Sequence, residues 1–327
     1  EIIREEKERR IDIVLADLSM PKMDGMEFLR HLGQDHQNIA IIIVSAMDNK
    51  LIISTGKMAK MYGVKLLGTI EKPVTLKQLK ALIILYQRFE TDWQKPVATI
   101  EDFTLAEILH GVRKKQFEPF FQPKVNLQTG KMVGVEALAR WIHPEKGVIA
   151  PYFFIPLLED SNNIDALTFL ILEKSAAACC LFHDRGVEIS VSVNISLVSL
   201  ADLGLADKIT KVVIDAGLDP RYVILEITES SAMTDVAPAL ENLARLCMNG
   251  FKLSIDDYGT GYSSMQQLTR IAFSELKIDR SFVQDFSGNE SLRIVVESSI
   301  EMAHKLGVQC VAEGVETLQE WNMLKAI

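Results

Sequence analysis

Acidic side chains end several apolar segments in the second half of this sequence. The stretch "SIDDYGTGYSS" (254–264) places Asp256 and Asp257 side by side, after three small or β-favouring residues and before a glycine-rich turn. Such a pattern predicts the carboxyl end of a buried strand. Burying two adjacent carboxylates costs free energy unless a positive group compensates them. The pair therefore predicts a cation or a basic side chain close by.

The same kind of segment end recurs along residues 104 to 327. The residues at these ends are Glu136, Asn194, Glu226, Asp256 with Asp257, Lys277 with Asp279, and Glu313 with Glu316. Any one of the acids could be a helix N-cap or a solvated loop residue, and Lys277 alone could serve a structural ion pair. The repetition on successive segments favours one shared site over these readings.

Converging carboxylates repel one another, and hard divalent cations relieve that repulsion. Mg²⁺ and Mn²⁺ prefer carboxylate and amide oxygens, so we expect one of these metals. A carboxylate that can bridge two metal ions favours a pair of ions about 3.5–4 Å apart. Enzymes use this two-metal arrangement for displacement at a phosphodiester. Ca²⁺ is larger and less demanding in geometry, so we expect it to occupy the site and inhibit turnover.

The elements that must position these residues alternate between strand and helix. We predict strands at "EPFFQPKV", "MVGVEALAR", "ISVSVNIS", "YVILEITES", "KLSIDDYG", "ELKIDR" and "VQCVAEGVE", with helical segments between most of them. This alternation and length predict a TIM-like (β/α) barrel. A barrel places the carboxyl ends of its parallel strands on one face, so the acids would meet there.

A smaller set of functional residues lies in the first 89 residues. The predicted strands "IDIVLADLSMP" (11–21), "IAIIIVSA" (39–46) and "KLLGTIEKP" (65–73) carry Asp17, Ser45 and Lys72 at or just after their ends. Each strand is followed by a predicted helix, at residues 26–33, 50–63 and 75–89. This alternation predicts a doubly wound parallel sheet with ligands at its carboxyl edge. A carboxylate nucleophile with a hydroxyl and an ammonium group could accept and hold a phosphoryl group.

The length of 327 residues predicts about two α/β domains. We place the first at residues 1–89, a linker at 90–103 and the barrel at 104–327. The opening "EIIREEKERR" is typical of the middle of a helix, and the final "WNMLKAI" of a helix before a last strand. We therefore expect this chain to be part of a longer protein, truncated at both ends.

Composition narrows the possible partners and the compartment. The net charge of −9, with no long basic run, argues against direct nucleic-acid binding. The 4 cysteines show no C-x-x-C spacing, so no zinc or redox motif is predicted, and a reducing cytoplasm fits. No apolar stretch approaches the roughly 20 residues of a membrane span. We expect a cytoplasmic protein without membrane contact.

The segments "ADLSMPKMDG" and "EKP", together with Ser45, resemble a bacterial response-regulator receiver domain. The resemblance covers residues 1 to about 89. It implies that Asp17 is the phosphoacceptor, that Ser45 and Lys72 contact the phosphate, and that a cognate sensor histidine kinase is the partner. Thr69 stands where the family has an aromatic switch residue, and the family's first strand, with its acidic pair, would precede residue 1.

Six ordered motifs, "EALARW", "NIS", "EITES", "DDYGTGYSS", "LKIDRSFV" and "AEGVE", resemble an EAL-domain cyclic di-GMP phosphodiesterase. The resemblance spans residues 104 to 327 and implies two metal ions per active site. The implied metal ligands are Glu136, Asn194, Glu226 and Asp256 for one ion, with Asp256 bridging to a second ion that Asp257 also binds. Tyr258 replaces the usual Phe, and the Q-G-Y/F motif of the family's last strand does not occur.

The same resemblance assigns the remaining roles. Glu313 would be the general base, and Lys277 would hold the attacking water or the phosphate. Gln122 and Arg140 would contact the dinucleotide. Glu229 would brace the "DDYGTGYSS" loop beside a dimer interface, so we expect a homo-oligomer, a dimer or larger. Glu316, the next carboxylate after Glu313, is the alternative base.

The predicted function is therefore a response regulator whose barrel hydrolyses cyclic di-GMP to linear pGpG by metal-activated attack of water at phosphorus. A different class is left open, in which the barrel is a catalytically silent receptor that binds cyclic di-GMP and signals by conformational change. Action on another phosphodiester is a third possibility. No G-G-D-E-F stretch occurs, so nothing predicts the opposing cyclase.

Overall fold

In a computed structural model, the chain forms two compact units, residues 1–97 and 98–327. The structure describes residues 11–18, 20, 25–35, 39–45, 65–76, 78–80, 82, 83, 86, 103–229, 236–259, 271–284 and 286–327. Almost all of the predicted linker 90–103 lies outside these ranges. The predicted domain boundaries therefore stay predictions.

The first unit contains a three-stranded parallel sheet. Its strands are β1 Ile13–Asp17, β2 Ala40–Ser45 and β3 Lys65–Glu71, in the order β1-β2-β3, and helix α1 Gly25–Asp35 connects β1 to β2. All six residues of β2 are buried, as expected of a central strand covered on both faces. The predicted helix at 50–63 lies outside the described residues, and of the predicted helix at 75–89 residues 76, 78–80, 82, 83 and 86 are helical.

The second unit is a curled sheet surrounded by helices, which confirms the predicted barrel class. Its strands are β4 Phe117–Val125, β5 Met132–His143, β6 Gly147–Ile149, β7 Ser190–Asn194, β8 Val223–Thr228, β9 Lys252–Tyr258, β10 Glu275–Ile278 and β11 Gln309–Ala312. Its helices are α2 Leu105–Arg113, α3 Ile155–Asp160, α4 Ile164–Asp184, α5 Leu205–Asp215, α6 Ala237–Met248, α7 Arg280–Val283, α8 Glu290–Leu306 and α9 Leu318–Ala326. The strand order is β11-β10-β9-β8-β7-β5-β4, and the short β6, which was not predicted, pairs with β5.

The first strand pair differs from a TIM barrel because β4 and β5 are antiparallel. Only residues 126–131 connect the two strands, whereas a parallel crossover needs a dozen residues or more. Asn126 closes this turn by accepting a hydrogen bond from the Thr129 amide at 2.9 Å. Gly130 adopts a φ of 68°, which a residue without a side chain tolerates readily. The strands from β5 to β11 that form the main path are all parallel.

The two faces of the curled sheet differ in chemistry. The outward face carries apolar side chains, such as Val193 on β7 and Leu253 on β9, which pack in one core with helices α4 to α6. The inward face carries buried polar side chains, among them Ser192, Glu226 and Lys277. Successive residues of a strand point to opposite faces, so this alternation directs the charged groups into the barrel. Among the described helices, none is both long and apolar enough to cross a membrane.

Candidate active site

The inward-facing polar residues open into a cavity of about 1380 Å³. Its lining includes six of the residues predicted to act in the site: Gln122, Glu136, Asp256, Lys277, Glu313 and Glu316. The first four lie on strands β4, β5, β9 and β10, and the last two follow β11. The register places Glu226 level with Asn194 on one neighbour and Ser254 on the other, which brings the strand ends to one mouth.

Lys277 lies at the centre of this mouth, and its side chain is only 2% exposed. Its Nζ contacts four carboxylates: Glu313 at 2.7 Å, Glu226 at 2.8 Å, Asp256 at 2.9 Å and Glu136 at 3.1 Å. Burial alone would lower the pKa of Lys277, but the surrounding carboxylates raise it well above its ordinary value. The lysine therefore carries a positive charge and compensates part of the acidic cluster.

The carboxylates outnumber the lysine, and their pKa values show the combined effect of burial and of neighbouring charges. Burial raises the pKa of Glu313 to about 7, with Lys277 opposing the shift. Burial and then the charge of Glu226 raise the pKa of Glu136. Burial would also raise the pKa of Glu226, but Lys277 and Lys124 lower it, so this carboxylate is ionised. The mouth retains net negative charge and attracts cations.

Two groups of acidic oxygens are arranged closely enough to hold cations. Glu136, Glu226 and Asp256 form the first group, and Asp256, Asp257 and Glu313 form the second, with oxygens within 4.8 Å of one another in each. Carboxylate oxygens are the ligands that Mg²⁺ and Mn²⁺ prefer, so the donors fit such ions. Asp256 belongs to both groups. Glu313, predicted as the base, also offers an oxygen to the second group.

Asn194, the predicted amide ligand, lies beside the first group at the end of β7. Its Nδ2 donates a hydrogen bond to Oε1 of Glu136 at 3.3 Å. This contact leaves the amide oxygen of Asn194 as a further neutral donor atom for a cation. The amide is therefore placed next to the carboxylates with which the sequence grouped it.

The backbone at the end of β9 is held in an uncommon conformation. Asp257 has a φ of 54°, and its amide donates to Oδ1 of Asp256 at 3.0 Å. The buried Glu229 accepts a hydrogen bond through Oε2 from the Gly259 amide at 2.9 Å. A side chain at Gly259 would lie 2.8 Å from the ring of Phe282, so the position requires glycine. The remainder of the predicted loop, residues 260–264, lies outside the described ranges.

Three further predicted residues lie at or beyond the rim. Gln122 pairs with Glu136 across β4 and β5 and lines the cavity. Arg140 lies farther along β5, where its guanidinium donates to the Ala139 carbonyl at 2.9 Å. Glu316 is exposed and accepts a hydrogen bond from Gln284 Nε2 at 3.4 Å. Gln122 is therefore level with Glu136, whereas Arg140 lies farther along β5, the strand that carries Glu136.

Sequence reasoning missed a second set of charged residues below the mouth. Lys124 on β4 is close to Ser192, Glu226 and Glu275, and each distance is between 2.7 and 2.8 Å. Glu275 is 4% exposed although it begins its strand. The available signal was the spacing of two residues between Glu275 and Lys277, which puts both side chains on the same face of β10.

The first unit also brings together the residues predicted from it. Lys72 forms an ion pair with Asp17, and these side chains are 41% and 30% exposed. Ser45 is buried at the end of β2, where its carbonyl oxygen accepts a hydrogen bond from the Lys72 amide at 2.9 Å. The three residues therefore meet at the carboxyl edge of the sheet, as the strand ends predicted.

Comparisons with known proteins agree with both halves of the chain. The family model described as EAL domain matches residues 105–327, and the response regulator receiver domain model matches residues 1–84. Cyclic di-GMP phosphodiesterase RocR of Pseudomonas aeruginosa is 34% identical over 307 residues, which cover 94% of this chain and 78% of RocR. Another relative, the bifunctional diguanylate cyclase/cyclic di-GMP phosphodiesterase MucR of Pseudomonas aeruginosa, is 38% identical over 67% of this chain but only 33% of its own length.

Solved structures show the same barrel. The structure titled PaMucR phosphodiesterase, c-di-GMP complex, superimposes with a TM-score of 0.64 at 36% identity. The match covers 68% of this chain and 90% of that one. Sequence models, relatives and structure thus agree on the region that carries the carboxylate mouth. The chain belongs to the EAL domain family and carries a response regulator receiver domain before its EAL domain.

Proposed function

We propose that this chain is a response regulator whose EAL barrel hydrolyses cyclic di-GMP to linear pGpG. The observation that carries the proposal is the pair of carboxylate groups that share Asp256 in one cavity. The names of RocR and of the PaMucR complex support the substrate, because one is a cyclic di-GMP phosphodiesterase and the other was solved with c-di-GMP.

Two Mg²⁺ or Mn²⁺ ions would complete the site. Glu136, Asn194, Glu226 and Asp256 would hold the first ion, and Asp256 with Asp257 would hold the second. When bound, such ions act as Lewis acids toward phosphoryl oxygens and lower the pKa of water. Ca²⁺, with more flexible coordination, is expected to bind without supporting turnover.

The side chains have separate tasks in the reaction. Glu313 would accept a proton from the attacking water, and burial raises the pKa of this carboxyl to about 7, which suits a general base working near neutral pH. Lys277 would hold the water or a phosphate oxygen, since its ammonium group lies 2.7 Å from Glu313. A shared lysine keeps the base and the substrate within reach of one another.

Substrate contacts and loop support involve residues around the mouth. Gln122 and Arg140 would contact the dinucleotide, Gln122 from the cavity wall and Arg140 from farther along β5. Glu229 would brace the loop after Asp257 through its bond to the Gly259 amide. Glu316 is the alternative base if Glu313 proves dispensable.

The receiver part would supply regulation. Asp17 would be phosphorylated by a cognate sensor histidine kinase, and Ser45 and Lys72 would contact the phosphoryl group. We keep the boundaries of 1–89, 90–103 and 104–327 for the receiver domain, linker and barrel. A homo-oligomer and a cytoplasmic location also remain predictions.

The decisive test is to incubate the chain with cyclic di-GMP and Mg²⁺ and to separate the products by chromatography. The expected result is linear pGpG that accumulates with time. Glu136→Ala, which removes a proposed metal ligand, is the matched negative control. Tight binding of cyclic di-GMP without any pGpG, with either metal, would favour the silent receptor. Hydrolysis of other phosphodiesters alone would favour the third possibility.

A further inference from the structure

The buried lysine on β4 reaches across the inside of the barrel. The Lys124 side chain is 10% exposed, and its Nζ lies 2.8 Å from Oε1 of Glu226 and 2.7 Å from Oε1 of Glu275. It also donates to Oγ of Ser192 at 2.7 Å. The Lys124 side chain on β4 therefore contacts three other strands, β7, β8 and β10.

Glu226 is held from two opposite sides. Its Oε1 contacts Lys124, and its Oε2 contacts Lys277 at 2.8 Å. Lys277 also contacts Glu136 and Asp256, the other members of the first carboxylate group. Oε2 therefore faces the side on which a cation would bind, and Oε1 faces away from it.

Lys124 and its two carboxylate partners form a buried charged cluster below the mouth. Glu226 and Glu275 are each level with Ser254 on β9, so the two carboxylates lie at the same height in the barrel. Burial would lower the pKa of Lys124, but these two carboxylates raise it, so Lys124 is charged. Charged groups buried in this way usually stabilise a fold no better than apolar side chains of similar size. Because stability alone does not explain these buried charges, we look for their role in the cation site above them.

We propose that Lys124 and Glu275 are positioning residues that keep the Glu226 carboxylate turned with Oε2 toward the cation site. Lys124 holds Oε1 by a charged hydrogen bond, and Glu275 holds Lys124 in place and balances its charge. In this proposal both residues act through Glu226. This inference rests on the metal site of the proposed function and extends it to groups behind the ligands.

The test measures Mn²⁺ binding by the full chain without substrate, from the electron paramagnetic resonance signal of free Mn²⁺. Thermal unfolding of each variant is recorded in parallel. The variants are Lys124→Met, Lys124→Arg and the double variant Lys124→Met with Glu275→Gln. Lys208→Met is the control, because Lys208 pairs with Asp202 at 2.6 Å on the surface, where its side chain is 55% exposed.

Lys124→Met is expected to weaken Mn²⁺ binding about 10–100-fold, the usual effect of losing a partner of a metal ligand. The double variant removes both charges, so its unfolding temperature should return toward that of the wild type while Mn²⁺ binding stays weak. If Lys124 and Glu275 had a purely structural role, the double variant would recover both its unfolding temperature and its Mn²⁺ binding. Lys124→Arg should retain most of the affinity, because a guanidinium can donate to the same carboxylates.

The inference is overturned if the folded double variant or Lys124→Met binds Mn²⁺ within about twofold of the wild type, well below the expected loss. If Lys124→Met does not fold, the double variant and Lys124→Arg decide the question. A wild type that binds no Mn²⁺ would contradict the metal site itself, and this inference with it. Normal binding by the wild type and by all variants would contradict this inference alone.

Discussion

The two units use the same residue types at the same place in a parallel sheet, yet the surroundings differ. In the first unit, Lys72 pairs with Asp17, and both side chains are substantially exposed. In the barrel, Lys277 is 2% exposed and contacts four carboxylates. Water screens the first pair, whereas the buried cluster is screened far less and depends on neighbouring charges for compensation.

This difference shows that the contribution of a strand-end lysine to stability depends on how deeply its ion pairs are buried. An exposed ion pair contributes about 0–1 kcal/mol, so losing the contact between Lys72 and Asp17 would cost little free energy. A buried lysine among several acids is essential to their compensation, and its removal leaves uncompensated charge. Exposure therefore separates a site that can switch partners from one that is held ready for cations.

The largest expected effect concerns cations in the barrel. Excess EDTA should abolish the release of pGpG, and Mg²⁺ or Mn²⁺ should restore it. The reason is that the carboxylates outnumber Lys277, so the site needs bound cations to compensate the remaining negative charge. Ca²⁺ should not restore turnover. Product formation measured by chromatography provides the test. Undiminished hydrolysis in EDTA would mean that Lys277 alone suffices, and the contrast between the two sites would then be wrong.

The next largest effect concerns the base. Glu313→Gln keeps the size of the side chain but removes its basicity, so turnover should fall about 10²–10⁴-fold. Binding of cyclic di-GMP, measured by calorimetry in Ca²⁺, should change little. The exposed Glu316 provides the matched variant, Glu316→Gln, for which a much smaller loss is expected. Normal turnover by Glu313→Gln would instead move the role of base to Glu316.

The comparison itself can be tested by replacing each lysine. Lys277→Met should destabilise the barrel by about 3–5 kcal/mol in EDTA, because four buried or half-buried carboxylates lose their shared counter-ion. Lys72→Met should cost less than about 1 kcal/mol, since its ion pair is exposed. Urea unfolding of the two variants measures both values. Equal losses would show that burial does not distinguish the two sites.

A smaller effect is expected at the end of β9. Glu229→Ala removes the acceptor of the Gly259 amide, so Mg²⁺ affinity and activity should fall about tenfold without unfolding of the barrel. Glu229→Gln retains an acceptor oxygen and should keep most of the activity. Activity measured as a function of Mg²⁺ concentration separates these variants. Wild-type kinetics of Glu229→Ala at low Mg²⁺ would indicate an ordinary rigid loop.

The smallest effect is a dependence of stability on pH. Burial raises the pKa of Glu313 to about 7, above the ordinary 4.5 of a glutamate, so the folded chain binds this proton more tightly than the unfolded chain. Stability in EDTA should therefore fall as pH rises from about 4.5 to 7. We expect the unfolding temperature to drop by about 2–4 °C for each kcal/mol lost.

The control for this pH dependence is Glu313→Gln, which cannot ionise. Its unfolding temperature should change less than that of the wild type over the same range of pH, as measured by calorimetry. A wild type that becomes more stable between pH 5 and pH 7 would contradict the assigned direction.

The fold class and the location of the carboxylates could be predicted because they depend on local patterns. An apolar run that ends in an acid predicts a strand end, and parallel strands bring their ends to one edge. This reasoning was sufficient for Glu136, Glu226 and Asp256, whose oxygens do meet in one group. The family relation is confirmed by the matches over residues 1–84 and 105–327.

The contacts of Lys124 and Lys277 could not be predicted in this way, because they join residues that are far apart in the sequence. The contact of Lys124 with Glu275 spans 151 positions and requires the curvature of the whole sheet. The central place of Lys277 among four acids likewise follows from strand register rather than from its own segment. The antiparallel start of the sheet was predictable in principle, because the turn between β4 and β5 is too short for a crossover.

Lys277 also has a consequence for the evolution of such proteins. Because the chain supplies its own counter-ion to four carboxylates, the loss of one ligand by mutation need not remove the barrel. A duplicated gene could lose a ligand or the base and still encode a protein with a shaped, charged cavity. Selection could then act on recognition of the nucleotide after hydrolysis has disappeared. Such a step from enzyme to receptor would keep the fold, because function lies in the site rather than in the fold.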